Sequence, residues 1–267
     1  QTIDKKIDIN KKMNKTYNEI IDVLFKSWFI NFDPVKEKLE GKTKRPSNKI
    51  SEIFPETFEE SELGKIPKGW TVKLFKNVID EYIDNRGKTP PLVKKGIPLI
   101  EIKNIHDNSQ FPNLKTNKYV DIETSKNWFR KHVKKYDVII STVGTIGLTT
   151  CVYDTNFVIA QNLLGLRFSD EIKSLYMFNL IKNNYFQMQI ESRLVETVQK
   201  SIKKKDLDKI PVLIPSNEVC NEFFDFVKPN LEKQFKNEKE NDILESLRNA
   251  ILSKIINGKL NISDIKK

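Results

Sequence analysis

Residues 24–34 read LFKSWFINFDP, and the fold turns on how that stretch is buried. At 100° per residue, Leu24, Phe25, Trp28, Phe29 and Phe32 share an arc of roughly 140°, and Ile20 and Ile21 carry the same face backwards. One partner helix cannot cover a stripe that wide. Upstream, Ile3, Ile7, Asn10, Asn14, Tyr17, Ile21, Leu24 and Trp28 are spaced alternately by four and three, the spacing of a coiled-coil seam. Asn10 and Asn14 fall inside that seam, where polar residues cost stability and fix register. Asp33 precedes Pro34, which disfavours helical geometry before it and predicts the end of the helix there.

A second helix is predicted from about Asn217 to Ile256. Its first half carries Phe223, Phe224, Val227, Leu231 and Phe235, and its second carries Leu244, Leu247, Ile251 and Ile255, with the polar stretch NEKEND between. Gly258 suits the C-terminal cap. Forty residues make about 60 Å of helix, far beyond the ~12-residue average. Two long helices with polar middles predict an antiparallel coiled coil.

Between them, IPLIEIKNI (97–105), YDVIIST (136–142), FVIAQNLLGLRF (157–168) and IPVLIP (210–215) read as short strands bounded by Gly, Pro, Asn and Asp. Residues 174–190, SLYMFNLIKNNYFQMQI, read as one buried helix. The expected fold class is α+β: a mixed α/β domain with short strands, flanked by the two long helices, with boundaries at 1–41, 42–215 and 216–267.

The chain has 46 Lys and Arg against 36 Asp and Glu, a net charge of +10. Residues 42–215 hold 29 basic against 20 acidic side chains, whereas 216–257 hold 6 against 8. The basic excess belongs to the middle of the chain, which favours a polyanionic partner there. No run approaches 18 apolar residues, the N-terminus lacks a signal-peptide pattern, and Cys151 and Cys220 suggest no disulfide framework; the expected setting is cytoplasmic, without a membrane.

Catalytic motifs are scarce. His106, His132 and the two cysteines lack metal-ligand spacing, VGTIG at 143–147 is a strand end rather than a dinucleotide fingerprint, and no phosphate-binding loop or nucleophile elbow occurs. Asp84, Glu101 and Lys103 offer the acid, acid and lysine of a Mg²⁺-dependent nuclease at a permissive and common spacing.

Three ordered stretches together carry a resemblance: LFKSWFINFDPVKEKLEGK (24–42), ELGKIPKGWTVKLFKNVI (62–79), and LDKIPVLIPSNEVCNEFFDFVKPNLEKQ (207–234) followed by LESLRNAILSKIINGKL. The chain resembles the specificity (S) subunits of type I restriction-modification systems over nearly its whole length. The first stretch is similar to that family's central conserved helix, the second to the opening of a target recognition domain, and the third to its closing strand and distal conserved helix. The resemblance implies a non-catalytic subunit of a DNA methyltransferase and endonuclease complex. Such a subunit reads double-stranded DNA and holds a methylation subunit and a restriction subunit. It needs no cofactor of its own, since S-adenosylmethionine belongs on the methylation subunit. The aromatic face of residues 24–32 would then pack on the second helix and on a globular surface.

Family members carry two recognition domains, and this chain has one between both helices, so it reads as a half-subunit that pairs as a homodimer. Interface residues expected on the helices are Tyr17, Ile21, Leu24, Trp28, Leu231, Phe235, Leu244, Leu247 and Ile251. DNA contacts are expected from loops that flank strands, where side chains reach groove edges from a rigid sheet. These are Arg86, Lys88 and Thr89; Thr142 and Thr145; Gln161 and Asn162; Gln199 and Lys200; and Lys203, Lys204 and Lys205. A helix-mediated assembly or regulatory protein without DNA reading is the alternative.

Overall fold

The computed structural model describes residues 2–41, 49–85, 87–106, 108–194 and 200–257. In chain order the helices are α1 (Thr2–Phe25), α2 (Asp33–Leu39), α3 (Lys49–Glu52), α4 (Ile122–Trp128), α5 (Glu171–Lys182), α6 (Asn184–Glu191), α7 (Lys204–Leu207) and α8 (Asn217–Ile256). The strands are β1 (Phe58–Ser61), β2 (Gly64–Pro67), β3 (Thr71–Leu74), β4 (Glu81–Ile83), β5 (Ile97–Ile100), β6 (Tyr119–Val120), β7 (Val138–Ser141), β8 (Thr149–Cys151), β9 (Val158–Ile159), β10 (Leu163–Arg167) and β11 (Pro211–Ile214). Two compact units result, Gln1–Ile21 with Pro229–Lys267, and Asp22–Lys228.

In the first unit the seam is built from amides. Asn10 Nδ2 donates to Asn241 Oδ1 at 2.9 Å and to Glu240 at 2.8 Å, Asn237 Nδ2 donates to Asn14 Oδ1 at 2.8 Å, and Asn14 Nδ2 donates to the Gln234 carbonyl at 3.2 Å. Arg248 donates to Asp4 at 2.9 Å. Rising numbers on α1 meet falling numbers on α8, so the pair is antiparallel. Asn10, Asn14, Gln234, Asn237 and Asn241 are all buried, alongside Ile7, Ile21 and Leu231.

The second unit absorbs the aromatic stretch. After Phe25 the chain winds into a π-helix, Lys26–Ile30, and Phe32 then takes a left-handed φ of 57°. A π turn holds one more residue than an α turn and so re-aims the side chains that follow. Phe29 lies 5.0 Å from Phe25 and from Tyr176 and 5.1 Å from Phe223, between ring centroids; Trp28 lies 5.2 Å from Phe54, and Trp70 lies 5.8 Å from Phe32. Rings from four other segments thus close over one stretch, which is why its apolar arc is so wide. Each fully buried ring contributes about 1.5–3 kcal/mol.

One sequence reading is extended here and another corrected. Asp33-Pro34 does not simply end a helix; it opens α2, where Pro34 sits in the first turn and its missing N–H has no bond to lose. Residues 174–190 are not one helix: α5 ends at Lys182, and the Asn183 side chain accepts from the Tyr185 N–H to start α6.

The sheets are small. One has the order β4-β10-β7-β8 and is antiparallel throughout; another has β5 between β6 and β9, with β5 and β9 parallel; β1 pairs with β2, and β3 with β11. Ile83, Ile100, Ile139, Val152, Phe157, Ile159 and Leu163 form a buried core between the first two sheets. At one end of β10, Arg167 makes a two-pronged pair with buried Asp137 and a further pair with Glu81.

Candidate nucleic-acid interface

Strand directions decide where the loops gather. β4 and β7 both run antiparallel to β10, so their C-terminal ends lie beside its start; β5 and β9 run parallel and end together. The segments leaving those ends enclose a groove of about 290 Å³. Its lining includes Lys88 and Thr89 after β4, Glu101 after β5, Lys118 before β6, Val143 and Gly144 after β7, and Gln161 and Asn162 before β10.

Backbone ties hold these loops in place. The Thr142 N–H and hydroxyl both donate to the Asn162 carbonyl, at 3.0 and 3.3 Å, and the Ile202 N–H donates to the Thr142 carbonyl at 3.0 Å. Ser141 Oγ donates to the Thr145 carbonyl at 2.6 Å and accepts from the Leu148 N–H at 2.9 Å, which folds the VGTIG turn back on its own strand. Gly144 has a φ of 82°, a conformation glycine adopts without strain, and its N–H reaches the Lys200 carbonyl at 3.3 Å.

The groove is not uniformly basic. Glu101, half-buried, pairs with Lys118 at 2.6 Å and with Lys103 at 3.1 Å. Burial raises its carboxyl, and the two ammonium groups outweigh that, holding it below the usual carboxylate range. Glu101 and Asn104 also form a capping box at the short helical turn 102–104. This corrects the nuclease reading of Asp84, Glu101 and Lys103, because Asp84 is exposed and the Glu101 oxygens are already held by lysines. Among the described residues, no group of three or more His, Cys, Asp and Glu side chains is placed to hold a metal ion.

Of the side chains expected to touch DNA, Lys88, Thr89, Gln161 and Asn162 come together in the groove. Thr142 does not line it but is half-buried and tied to Asn162, and Thr145 and Lys200 are exposed on the adjoining turns. Lys203, Lys204 and Lys205 are not among its lining residues and are exposed at the start of α7. There the Tyr82 hydroxyl donates to Asp208, and the Lys204 ammonium stands 3.7 Å from the Tyr82 ring centroid. Burial and that hydrogen bond push the Tyr82 phenol up. Arg86 and Gln199 lie outside the described residues. Lys118 was missed because nothing in TNKYV separates it from any surface lysine. Glu101 was seen, but in another role.

On the helices, Trp28, Ile21 and Leu231 are 6%, 4% and 1% exposed within the chain, which leaves them no area for a second chain. Tyr17, Leu24, Phe235, Leu244 and Ile251 are half-buried, and Leu247 is exposed. Ile243, Leu252 and Ile256 of α8 are exposed as well.

The chain matches no known family model. It is 23% identical over 303 residues to the type I restriction enzyme HindI specificity subunit of Haemophilus influenzae, a match that takes in 97% of this chain and 65% of that protein. It is also 23% identical over 268 residues to the MjaIX specificity subunit of Methanocaldococcus jannaschii, taking in 98% and 57%. The chain is similar to type I restriction specificity subunits. It spans about three-fifths of the length of these specificity subunits. A crystal structure of the HsdS subunit from Thermoanaerobacter tengcongensis superposes with a TM-score of 0.47 at 17% identity, over 93% of this chain and 58% of that one. The α+β arrangement of short strands between long helices agrees with the expected fold class. Among the described residues, no helix is long and apolar enough to cross a membrane.

Proposed function

We propose that this chain reads DNA sequence as the specificity subunit of a type I restriction-modification complex. One observation carries the reading: Lys88, Thr89, Gln161 and Asn162, drawn from separate loops, line one groove at the ends of four strands. Lysines supply the sequence-independent attraction to phosphates, and amide side chains supply base-edge contacts. In this reading residues 42–215 are the recognition domain. The long helices dock the methylation and restriction subunits, S-adenosylmethionine is bound by the methylation subunit, this chain catalyses nothing, and the complex works in the cytoplasm. Two copies pair through the exposed apolar residues of α8, Ile243, Leu247, Leu252 and Ile256, so that one half-site is read by each.

A gel-shift titration of the full chain against duplex DNA between 50 and 200 mM salt tests the reading. Affinity falls steeply with salt, and replacing Lys203, Lys204 and Lys205 with Ala lowers the slope by up to about three units without relaxing sequence preference. The absence of any binding at 50 mM salt, with methylation-subunit capture intact, supports an assembly protein instead. Light scattering that shows a monomer at tens of micromolar removes the dimer.

A further inference from the structure

A second run of cations leads away from the groove. Residues 126–135 read KNWFRKHVKK, with Lys126, Arg130, Lys131, Lys134 and Lys135 and no acidic side chain, and these residues and His132 are exposed. Two sets of contacts fix its course. At one end Trp128 Nε1 donates to Asn85 Oδ1 at 3.0 Å, and Asn85 lines the groove. Further on, Lys131 pairs with Glu81 at 3.0 Å, and Arg167 donates to the His132 carbonyl at 2.8 Å. Rising numbers in this segment thus meet falling numbers along β4, an edge strand of its sheet. The segment runs alongside β4 from the groove toward the opposite end of the sheet, roughly 13 Å of strand between Asn85 and Glu81.

The backbone beneath these cations is held firmly. Phe129 and Val133 are buried in the core, and Lys135 stands 4.0 Å from the Tyr153 ring centroid. Tyr136, which follows, is buried at a left-handed φ of 69°, a strained conformation that its surroundings must hold. Nearby carboxylates are engaged elsewhere: Asp137 is buried against Arg167, Glu81 is shared by Arg167 and Lys131, and Asp121 accepts the Thr124 N–H. Glu123 is exposed one turn before Lys126. Among the described residues Lys126, Arg130 and Lys134 form no ion pair, so three charges of one sign face water.

Protein interfaces are depleted in lysine and centre on buried apolar anchors. Here Ile122 of α4 is exposed, too little apolar area for such a centre. A row of cations without an apolar middle fits phosphates. We propose that residues 126–135 form a track that holds the phosphate backbone of DNA flanking the sequence in the groove. The inference rests on the DNA-reading function proposed above and adds a contact outside the sequence being read. Such contacts position a duplex and carry no sequence information.

The test compares duplexes of about 12 and about 30 base pairs, roughly 40 and 100 Å long, bound by the full chain between about 50 and 200 mM salt. The longer one reaches past the groove onto the track. Its affinity falls with salt more steeply than that of the shorter one. Lys126→Gln, Arg130→Gln and Lys134→Gln together remove that difference, a change of up to about 40-fold over this salt range for three phosphate contacts. Base preference is unchanged in the triple variant. Lysine acetylation read by mass spectrometry maps the contacts on the unaltered chain, whatever the variant's fold. The long duplex shields Lys134, the short one does not, and both shield Lys88 and Lys118 in the groove.

Equal salt slopes for variant and wild type on the long duplex, or a Lys134 acetylated equally with and without it, overturn the track. Shielding of Lys88 and Lys118 in that case leaves DNA reading standing. A Lys134 shielded by a methylation subunit and not by DNA also overturns the track and assigns this face to protein. If neither duplex shields any lysine, both proposals fail.

Discussion

Midway along α1, Asn10 and Asn14 are buried against Asn237 and Asn241; at its end and in the π turn that continues it, Phe25 and Phe29 are buried against Tyr176 and Phe223. The same helix therefore changes its means of association along its length. Aromatic packing supplies large, weakly directional stabilisation, and the rings tolerate tilted and edge-on arrangements alike. A ladder of amides supplies little net energy but accepts only one alignment, because a one-step slip leaves buried donors and acceptors unmatched. The difference separates what holds a fold together from what sets its register.

The largest expected effect comes from Phe223→Ala, which removes a fully buried ring touching Phe25, Trp28 and Phe29. It costs about 3–5 kcal/mol in urea unfolding followed by tryptophan fluorescence. A loss under about 1 kcal/mol would mean that the rings are incidental to stability. Next comes Asn14→Ala, which strands the Asn237 amide and costs about 1–3 kcal/mol, read as faster hydrogen exchange around Gln234–Asn241. Replacing Asn14 and Asn237 together with Leu is smaller still, within about 1 kcal/mol of wild type or more stable, because neither amide is then left stranded by loss of the other. That double variant should lose alignment instead, so cross-linking between Asp4→Cys and Arg248→Cys becomes less efficient; undiminished cross-linking shows that register is set elsewhere.

The smallest effect is acid sensitivity. The hydrogen bond from Arg248 holds the Asp4 carboxyl below the usual carboxylate range, and those from Asn10 and Lys6 do the same for Glu240. A carboxyl depressed in the folded state contributes stability above its ordinary range and loses it as pH falls through that range. Exchange protection in the helix pair should weaken slightly on acidification, while the aromatic cluster, built from uncharged rings, should not respond.

Long periodic elements were legible in the sequence. The bounds of α8 follow from its apolar spacing, and the Asn positions announced a seam with fixed register. Breaks inside apolar runs were not. Nothing in LFKSWFI signals a π turn, and the Asn183 cap that divides α5 from α6 resembles any polar helix residue until its side-chain bond is seen. For the groove, turn composition picked out the loops that contribute Lys88, Thr89, Gln161 and Asn162, since strand ends carry their own punctuation. The pairing of Glu101 with Lys118 depends on where β6 is laid against β5, a tertiary fact that no local pattern encodes.

The β3–β11 ladder has a temporal consequence. It pairs Thr71 with Ile214 and Leu74 with Pro211, partners about 140 residues apart in the chain. Such long-range closure is slow relative to local hairpins like β1–β2. On a ribosome, β3 emerges long before β11 exists, and until then it presents an open edge to other strands. Translation speed through the intervening segment, and chaperone access during it, should therefore govern the yield of native chain more strongly than any single side chain in the finished molecule.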